Sequence, residues 1–422
     1  MATKRKKKAV KKKVRKTVKK TVKKTVKKTV PKGTPKGVKK KAAAKGKKAD
    51  RVSPFFQLHP SFTVQVCKPV SKTKVVEGRW IETGSLAGHR FYHRAVLLGD
   101  GQVLVVGGQG SDFLLETAEV WDPTENAWRT TGSMKQYRVA HSAVLLKSGL
   151  VLTAGGIFEK GTELWDPKSD SWSPVKDLPQ HRWGHGESLL PDGRVLIVGG
   201  FVHYDAKRQM PVDLCHMFNP RGKSWKSTTS LPYRVGNPAV TLLLNGGVLI
   251  AGGRDVSEAG NPRFSRSSLI FNPKTEKWKT YGNMRAARSL HTLTLLTDGR
   301  VLMTGGENKK GVLNTAEILD PKTGKSRKIQ AMHERRRSHS ATLLLNGKVL
   351  VVGGENQRGS LHTAEIYDPI KKAWSLLAPM RRPRACHSAT LLPDGRVLIV
   401  AGRRSPNKEG AMRDTVIWKP TS

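Results

Sequence analysis

A glycine doublet that returns at a near-constant interval constrains this chain more than any other feature. Six copies and a degraded seventh occur at Gly107-Gly108, Gly155-Gly156, Gly199-Gly200, Gly252-Gly253, Gly305-Gly306, Gly353-Gly354 and Ala401-Gly402. The first residues of these copies run from position 107 to position 401 in six intervals, a mean period of 49 residues. A period of about 40–50 residues is typical of four-stranded propeller blades. The sequence therefore predicts seven blades.

Two strands are predicted before each doublet. Near the sixth doublet, an apolar run from His339 to Leu345 meets Asn346-Gly347 and continues as Val349–Val352. Asn-Gly or Asp-Gly between apolar runs indicates a β-hairpin with a two-residue turn. Because both runs are apolar at nearly every residue, we expect both strands to be buried on both faces between neighbouring blades.

Two further strands follow each doublet. The third contains Ala-Glu-x-x-Asp-Pro, whose Asp-Pro initiates a turn, and a tryptophan six residues after the aspartate begins the outer strand. The offset holds for Asp122/Trp128, Asp166/Trp172, Asn219/Trp225, Asn272/Trp278 and Asp368/Trp374, whereas Asp320 is followed by Ser326. The fifth blade is therefore expected to lack one large buried anchor.

The two ends of the repeat region predict how the ring closes. Residues 80–86 are similar to the outer strand that begins at Trp128, but no inner hairpin precedes them. The last unit starts at Arg384 and stops at Trp418, before its own outer strand. We expect residues 80–86 to pair with the blade formed by residues 387–418, which would hide the sheet edges by closure.

The doublet, the later tryptophan and the near-50 period resemble kelch repeats. Arg-x-x-His together with Leu-Leu-Pro-Asp-Gly-Arg-Val-Leu resembles the bacterial variety, which is related to the propeller of galactose-oxidase-like enzymes. The resemblance covers roughly Trp80 to Trp418 and implies an all-β, seven-bladed kelch-type β-propeller at residues 79–422. Propellers host unrelated chemistries, so function must come from the site.

The resemblance also raises the possibility of an oxidase. Galactose-oxidase-like enzymes hold copper with two tyrosines and two histidines, one tyrosine being cross-linked to a cysteine. Tyr92-His93 is similar to the Tyr-His ligand pair of that family, but no cysteine lies in a recognisable cross-link motif. We expect a non-enzymatic binding protein without catalytic residues, metal or cofactor. A copper-radical oxidase is the alternative.

The N-terminal segment 1–50 is lysine-rich and of low complexity. It contains 24 Lys/Arg and one acid, Asp50, in a chain of net charge +45. Such a segment buries too little apolar surface to fold alone, so we predict a disordered tail that resembles the tails of linker histones and bacterial histone-like proteins. Its predicted nonspecific nucleic-acid contacts are Lys4, Arg5, Lys6, Lys7, Lys8, Lys11, Lys12, Lys13, Arg15, Lys16, Lys19, Lys20, Lys23, Lys24, Lys27 and Lys28.

Three other roles remain open for the tail: attachment to an anionic membrane surface, a nuclear-import signal at residues 4–8 if the source is eukaryotic, or simple solubilisation. Residues 51–78 are interpreted as a linker or an extra strand. The sequence has no secretory or membrane-spanning segment, and its three cysteines are scattered, as in a reducing compartment. We expect a cytoplasmic monomer that associates with the nucleoid through its tail.

An Arg-x-x-His motif precedes each inner hairpin: Arg90/His93, Arg138/His141, Arg182/His185, Arg288/His291, Arg336/His339 and Arg384/His387, with Arg234/Asn237 in the fourth unit. Six histidines at equivalent positions around a ring could hold a metal, but their repetition in nearly every blade favours a packing role. A glutamate lies 19 residues before several of the arginines, so we predict the inter-blade ion pairs Glu119–Arg138, Glu163–Arg182, Glu317–Arg336 and Glu365–Arg384.

The loops between the second and third strands vary most between blades. Repeat proteins commonly place recognition on such loops, which emerge on one face. We predict a partner-binding face, for a protein or a second polyanion, that contains Tyr204, Lys207, Arg208, Arg254, Arg263, Arg266, Lys309, Lys310, Arg358, Arg403 and Arg404.

Overall fold

The chain folds into seven four-stranded antiparallel sheets, as the repeat predicts. The computed structural model describes residues 78–203, 209–256, 261–405 and 410–421, which belong to one structural unit. The predicted disordered tail and residues 51–77 lie outside the described part. No helix in the described residues is long and apolar enough to cross a membrane.

In the first three blades the strands follow one another in chain order from the inside outward. Blade 1 contains β2 (Arg94–Leu97), β3 (Val103–Val106), β4 (Ala118–Asp122) and β5 (Ala127–Thr130). Blade 2 contains β6 (Ser142–Leu145), β7 (Val151–Ala154), β8 (Thr162–Asp166) and β9 (Ser171–Val175). Blade 3 contains β10 (Gly186–Leu189), β11 (Val195–Val198), β14 (Cys215–Asn219) and β15 (Ser224–Thr228).

Blades 4 to 6 repeat this order. Blade 4 contains β16 (Ala239–Leu242), β17 (Val248–Ala251), β20 (Ser267–Asn272) and β21 (Lys277–Asn283). Blade 5 contains β22 (Thr292–Leu295), β23 (Val301–Thr304), β26 (Ala316–Leu319) and β27 (Ser326–Lys328). Blade 6 contains β28 (Ser340–Leu343), β29 (Val349–Val352), β32 (Ala364–Asp368) and β33 (Ala373–Leu376).

Blade 7 confirms the predicted closure. Its inner strands are β34 (Ser388–Leu391), β35 (Val397–Val400) and β36 (Thr415–Pro420), and its outer strand is β1 (Gly78–Glu82). The pairing runs from Gly78 opposite Pro420 to Glu82 opposite Val416. The start of the propeller therefore supplies the strand that its end lacks, and the sheet edges are closed.

Four small hairpins lie between the second and third strands of blades 3 to 6. They are β12 (Phe201–His203) with β13 (Gln209–Pro211), β18 (Arg254–Val256) with β19 (Pro262–Phe264), β24 (Glu307–Asn308) with β25 (Gly311–Val312), and β30 (Glu355–Asn356) with β31 (Gly359–Ser360). Because the strands alternate in direction, these hairpins share one face with the loops that enter each blade. We call it the loop face.

Burial differs between the two inner strands of each blade, contrary to prediction. The second strand is buried at all its residues, as in Val349–Val352. The first strand is mostly half-buried, as in Ser340–Leu343. Its free edge faces the axis of the propeller and not another strand, so it is covered on fewer sides.

The turns of the inner hairpins also differ from prediction. In blade 6, Leu344 N–H donates to Lys348 O at 2.8 Å and Gly347 N–H donates to Leu344 O at 2.9 Å. Gly347 has φ 77°, while Asn346 has no positive φ. This is a type I turn followed by a glycine in the left-handed region, a three-residue loop, and not the predicted two-residue turn.

The glycine doublets serve the contact between blades. A Cβ on Gly107 would lie 2.6 Å from Arg138 O and 2.9 Å from the His141 ring, both of the next blade. A Cβ on Gly108 would lie 2.9 Å from Phe91 O of its own blade. Both glycines have positive φ, 59° and 102°. The backbone therefore needs glycine here for conformation and for space.

The tryptophans of the outer strands join neighbouring blades. Trp172 Nε1 donates to Gly132 O at 2.7 Å, and Trp374 Nε1 donates to Gln330 O at 2.8 Å. Blade 5 lacks this anchor, as predicted, and Ser326 lies buried in its outer strand. The Ser326 hydroxyl instead donates to Glu317 Oε2 at 2.8 Å.

Replacement of Gly107 by alanine tests this close approach. We expect Gly107→Ala to lower the free energy of unfolding by more than the ~1–2 kcal/mol of a left-handed alanine, because its Cβ also meets Arg138 O. The measurement is the urea unfolding midpoint. Gly99→Ala is the control, since a Cβ there meets no atom within 4 Å. Equal effects of the two variants would contradict the packing role.

Candidate functional site

The predicted partner-binding residues divide into three groups in the structure. Tyr204, Lys207 and Arg208 lie outside the described residues. Arg403 is buried, with 2% of its surface exposed, and Arg254 is half-buried beside Phe201. The six that are exposed on the loop face form what we call the basic face: Arg263, Arg266, Lys309, Lys310, Arg358 and Arg404.

The basic face carries positive charge that the protein does not neutralise. None of its six side chains lies within 4 Å of a carboxylate among the described residues. In the described residues between the second and third strands of blades 4 to 7, the exposed charges are all positive, because Glu307 and Glu355 turn inward. The opposite face has mixed charge, with exposed aspartates such as Asp192 and Asp298 paired to Arg194 and Arg300.

A chain of ion pairs lies beneath the basic face and joins blades 5, 6 and 7. Arg337 contacts Glu307 and, at 3.1 Å, Glu355 Oε1. Arg403 NH2 lies 2.8 Å from Glu355 Oε2. Including Arg403 in the exposed face was therefore wrong, because blade 6 supplies it with a buried carboxylate. The sequence analysis missed this chain, whose members are the residues after the doublets and after the entry arginine.

Arg254 has a different environment from Arg403. Its guanidinium lies 5.1 Å from the centre of the Phe201 ring, a cation–π distance. Burial lowers the pKa of Arg254, while Glu307 and Tyr92 partly offset that effect. It therefore supports the loop face from below and is not part of its exposed surface.

A ring of backbone hydrogen bonds encircles the axis at the loop face. Its members are Tyr92, Ala140, Gly184, Asn237, Leu290, Ser338 and Cys386, all with left-handed φ of 48–58°. Six blade-to-blade N–H to O bonds of 2.9–3.2 Å connect them, for example Ala140 N–H to Tyr92 O. The ring holds the entry loops at one height and so supports the hairpins above them.

The entry arginines form ion pairs, but with partners other than those predicted. The pairs observed are Arg90–Glu119 at 2.6 Å, Arg138–Glu163 at 2.9 Å, Arg288–Glu317 at 2.7 Å, Arg336–Glu365 at 2.8 Å and Arg384–Asp414 at 2.7 Å. The predicted pairs Glu119–Arg138, Glu163–Arg182, Glu317–Arg336 and Glu365–Arg384 are wrong. Each carboxylate binds the arginine that enters its own blade.

The geometry of blade 6 explains why each carboxylate binds the arginine of its own blade. Arg336 folds back over its own doublet, and its NH1 donates to Gly353 O at 2.6 Å and to Thr363 O at 3.2 Å. Its NH2 then reaches Glu365 Oε1, while Glu365 Oε2 accepts the His333 N–H at 2.8 Å. The carboxylate is thus shared between the arginine and the loop that leads to it. A constant separation of 29 residues in three blades was the available sequence signal.

Blade 4 replaces the ion pair with apolar groups. Gly200 N–H donates to Val235 O there, as Gly108 N–H donates to Arg138 O between blades 1 and 2. Val235, and not Arg234, therefore occupies the arginine position, and Arg234 is exposed. Leu269 occupies the glutamate position, and it joins Val235 in one buried cluster. Both charges were lost together.

Three of the entry histidines, His93, His339 and His387, hydrogen-bond side chains of the preceding blade. His339 Nε2 lies 3.0 Å from Thr304 Oγ1, and His387 Nε2 lies 2.9 Å from Ser340 Oγ, each in the preceding blade. Burial, followed by the neighbouring Arg384, lowers the pKa of His387 to about 3. Among the described residues, no three His, Cys, Asp or Glu side chains are grouped to hold a metal.

The described residues do not form the copper site of the oxidase alternative. Tyr92 and Cys386 are neighbours on the axis, but His93 turns outward and its Nε2 lies 2.9 Å from Ser388 Oγ. Tyr367 is buried in blade 6 against Trp374, with ring centres 5.0 Å apart. His93 and Tyr367 therefore do not join Tyr92 in one set of ligands in the part of the chain that the structure covers.

Comparison with known proteins agrees with this architecture. The model of the KLHDC2/KLHL20/DRC7 kelch-repeats domain matches residues 190–403, half of the chain, and the kelch motif matches residues 90–135. No curated protein sequence matches significantly.

Two solved structures illustrate the similarity of fold. One is titled "Novel fungal alcohol oxidase with catalytic diversity among the AA5 family, in complex with copper"; its TM-score is 0.66 at 16% identity, over 82% of this chain and 77% of that chain. The other, YjhT, has a TM-score of 0.53 at 16% identity, over 66% of this chain and 94% of that chain. At these identities the likeness shows the fold alone.

Removal of an entry arginine should destabilise the propeller. We expect Arg336→Ala to cost about 3–5 kcal/mol of unfolding free energy, because Glu365 stays buried without its cation. Chemical denaturation measures this loss. The control is Arg358→Ala on the basic face, which should stay within about 0.5 kcal/mol of the parent protein. Unchanged stability of Arg336→Ala would show that the pair is not a support.

The buried histidines should make stability fall in acid. The folded pKa of His387, about 3, lies below its ordinary value of about 6.5, so its contribution is complete above pH 6.5 and is lost as pH falls toward 3. At pH 5 this one group should cost about 2 kcal/mol. Denaturation at pH 7 and pH 5 tests this. His387→Gln should show a smaller loss; an identical loss would assign the effect to other groups.

Proposed function

Because the chain belongs to the kelch-repeat family of β-propellers, we propose that it is a non-enzymatic binding protein whose basic face docks an acidic surface of a protein partner. The observation that carries this proposal is the set of six exposed, unpaired cations on the loop face. Unneutralised charge of one sign attracts a complementary surface and speeds encounter.

The frame beneath the basic face favours recognition over a passive charged rim. Lys309 and Lys310 lie in the turn of a two-residue hairpin, with the Lys310 N–H donating to Asn308 Oδ1 at 2.8 Å. Arg358 is held in the same way, through Asn356 at 2.8 Å. Cations on short, hydrogen-bonded turns lose little backbone freedom when a partner binds.

The lysine-rich tail adds a second proposed activity, nonspecific binding of nucleic acid. Its support is compositional: 24 basic residues and one acid in residues 1–50. Lysines bind phosphates as point charges and release counterions, so affinity should fall steeply with salt. The two activities together would hold an acidic protein partner near nucleic acid.

The proposal that the protein is not an enzyme has its own test. It rests on the positions of His93 and Tyr367, which do not join Tyr92 in a ligand set. Purified protein should contain far less than one copper per chain and should form no peroxide from alcohols. Stoichiometric copper with alcohol-dependent peroxide would replace this proposal with the oxidase alternative.

Three full-length variants separate the two binding activities. The first changes the sixteen predicted tail contacts between Lys4 and Lys28 to glutamine, and the second changes the six residues of the basic face. The third is a matched control that removes six exposed cations of the opposite face: Lys168, Arg221, Lys223, Lys274, Lys322 and Lys371. Binding is measured for duplex DNA over a salt series and for a polyglutamate peptide.

We expect DNA binding to be lost only in the tail variant, with the parent losing about 0.9 log unit of affinity per log unit of salt for each phosphate neutralised. The polyglutamate peptide is tested in the background of the tail variant, in which the sixteen tail contacts are already glutamine. There, removal of the basic face should weaken binding about tenfold or more relative to the control. Equal loss in the two face variants would contradict a specific docking surface. DNA binding that depends on the basic face would make the propeller itself the nucleic-acid site.

A further inference from the structure

Blade 3 keeps the entry arginine but loses its carboxylate. His216 pairs with Ile197 and Ser227 in the sheet, as Glu119 of blade 1 pairs with Val105 and Thr130. His216 therefore occupies the position of the glutamate, although a count of 19 residues back from Arg234 leads to Cys215. The histidine side chain lies where other blades place a negative charge.

Arg182 is buried as deeply as the paired arginines, with 0% of its surface exposed. Its NH1 donates to Leu214 O at 3.1 Å and to Gly199 O at 3.4 Å, as in the other blades. Its NH2 has no hydrogen-bond partner among the described residues. In five other blades that nitrogen contacts a carboxylate at 2.6–2.9 Å.

The charge of Arg182 persists at neutral pH. Burial lowers the pKa of Arg182 to about 10, which still leaves the guanidinium protonated at pH 7. An unpaired cation removed from water costs several kcal/mol unless an anion compensates it. Burial, followed by Arg182, lowers the pKa of His216 to about 4, so at pH 7 the imidazole is neutral and does not add a second positive charge.

His216 can contribute a donor to the same place. It is 3% exposed, and its Nδ1 is buried without a hydrogen-bond partner in the described part of the chain. A neutral imidazole can carry its proton on Nδ1 and donate it. Arg182 NH2 and His216 Nδ1 are thus two buried groups without a described partner, in residues that hold the arginine and glutamate positions of the other blades. Both are able to donate to an anion.

The local sequence agrees with a site that no longer holds a side-chain carboxylate. In blade 6, Glu365 also accepts the N–H of His333 in the entry loop. The corresponding residue of blade 3 is Pro179, which follows Leu178 as His333 follows Met332 and which has no N–H to satisfy. Blade 3 therefore lacks both the carboxylate acceptor and one backbone N–H donor to it, while the NH2 donor of Arg182 remains.

We propose that blade 3 binds a small monovalent inorganic anion of the halide class, chloride being the abundant example, between Arg182 NH2 and the His216 ring. The anion takes the place that the glutamate carboxylate has in other blades. The burial of both side chains selects against sulfate or phosphate, because a larger, hydrated anion would need the blade to open. The site is independent of the basic face and of the tail.

Blade 4 shows why the site is confined to blade 3. There both members changed, and Val235 packs with Leu269 in an apolar cluster, so that no charge needs compensation. Blade 7 shows another solution, in which Asp414 replaces the usual glutamate and contacts Arg384 at 2.7 Å. Among the six buried entry arginines, Arg182 alone lacks a described carboxylate partner.

Thermal unfolding of the full chain in mixtures of sodium chloride and sodium gluconate, at constant ionic strength, tests the site. The midpoint should rise as chloride replaces gluconate, by about 1–3 °C per tenfold increase above the dissociation constant. His216→Glu should unfold at a higher temperature than the parent protein in gluconate and show no chloride dependence, because its carboxylate binds Arg182. Leu269→Glu is the matched control: it should lose stability and keep the chloride response.

A second measurement detects the anion directly and begins with the native protein. Chloride-35 NMR of the native protein should show line broadening that bromide competes away, and His216→Glu or Arg182→Met should abolish the excess broadening. A chloride response of equal size in His216→Glu, or broadening no greater in the parent than in that variant, would overturn the proposal.

Discussion

The buried entry arginine is the interaction on which the rest of the propeller depends. In blade 6 the guanidinium of Arg336 ties together the carbonyl of the doublet residue Gly353, the start of the third strand at Thr363 and the carboxylate of Glu365. The entry loop, the doublet and the third strand are thereby held together at the loop face by one planar group with several donors. The glycine doublet is needed because the next blade's arginine carbonyl and histidine ring pack directly on it. The entry loops, the axial ring and the hairpins are all positioned by this contact.

The three blades that depart from the usual pair show what such a contact requires. A buried charge must be removed with its partner, supplied with another partner, or compensated from outside the chain. Blade 4 removes both charges through Val235 and Leu269, and blade 7 moves the carboxylate to Asp414. Blade 3 retains Arg182 and lacks the carboxylate, which is why it has the capacity for an anion. The same rule explains three different sequences at equivalent positions.

The four-stranded blades form a constant frame, and the hairpins of the loop face form a variable surface on it. This division supports the proposed function. The frame is nearly the same in every blade, whereas the hairpins after the doublets differ in length and charge. Glu307, Glu355, Arg337 and Arg403 neutralise one another beneath the surface, so the exposed lysines and arginines above them are left available for a partner. In blades 4 to 7, the exposed charges of the described loop residues are positive and lie above a layer of ion pairs. This arrangement is suited to docking an acidic surface, because little order must be gained on binding.

The sequence by itself determined the number of blades, the four strands of each and the closure of the last blade by the start of the propeller, because these depend on periodicity and local turn chemistry. It placed the closing strand at residues 80–86, whereas the structure places it at residues 78–82. It did not determine which glutamate binds which arginine, since offsets of 19 and 29 residues are both constant and only the fold-back of the side chain chooses between them. The sequence motif also places the entry arginine position of blade 4 one residue too early. Arg234 matches the motif, but the Gly200 N–H donates to Val235 O. The exposure of Arg263 against the burial of Arg403 was likewise decided by tertiary structure, since only neighbouring blades can supply the carboxylate that covers a charge.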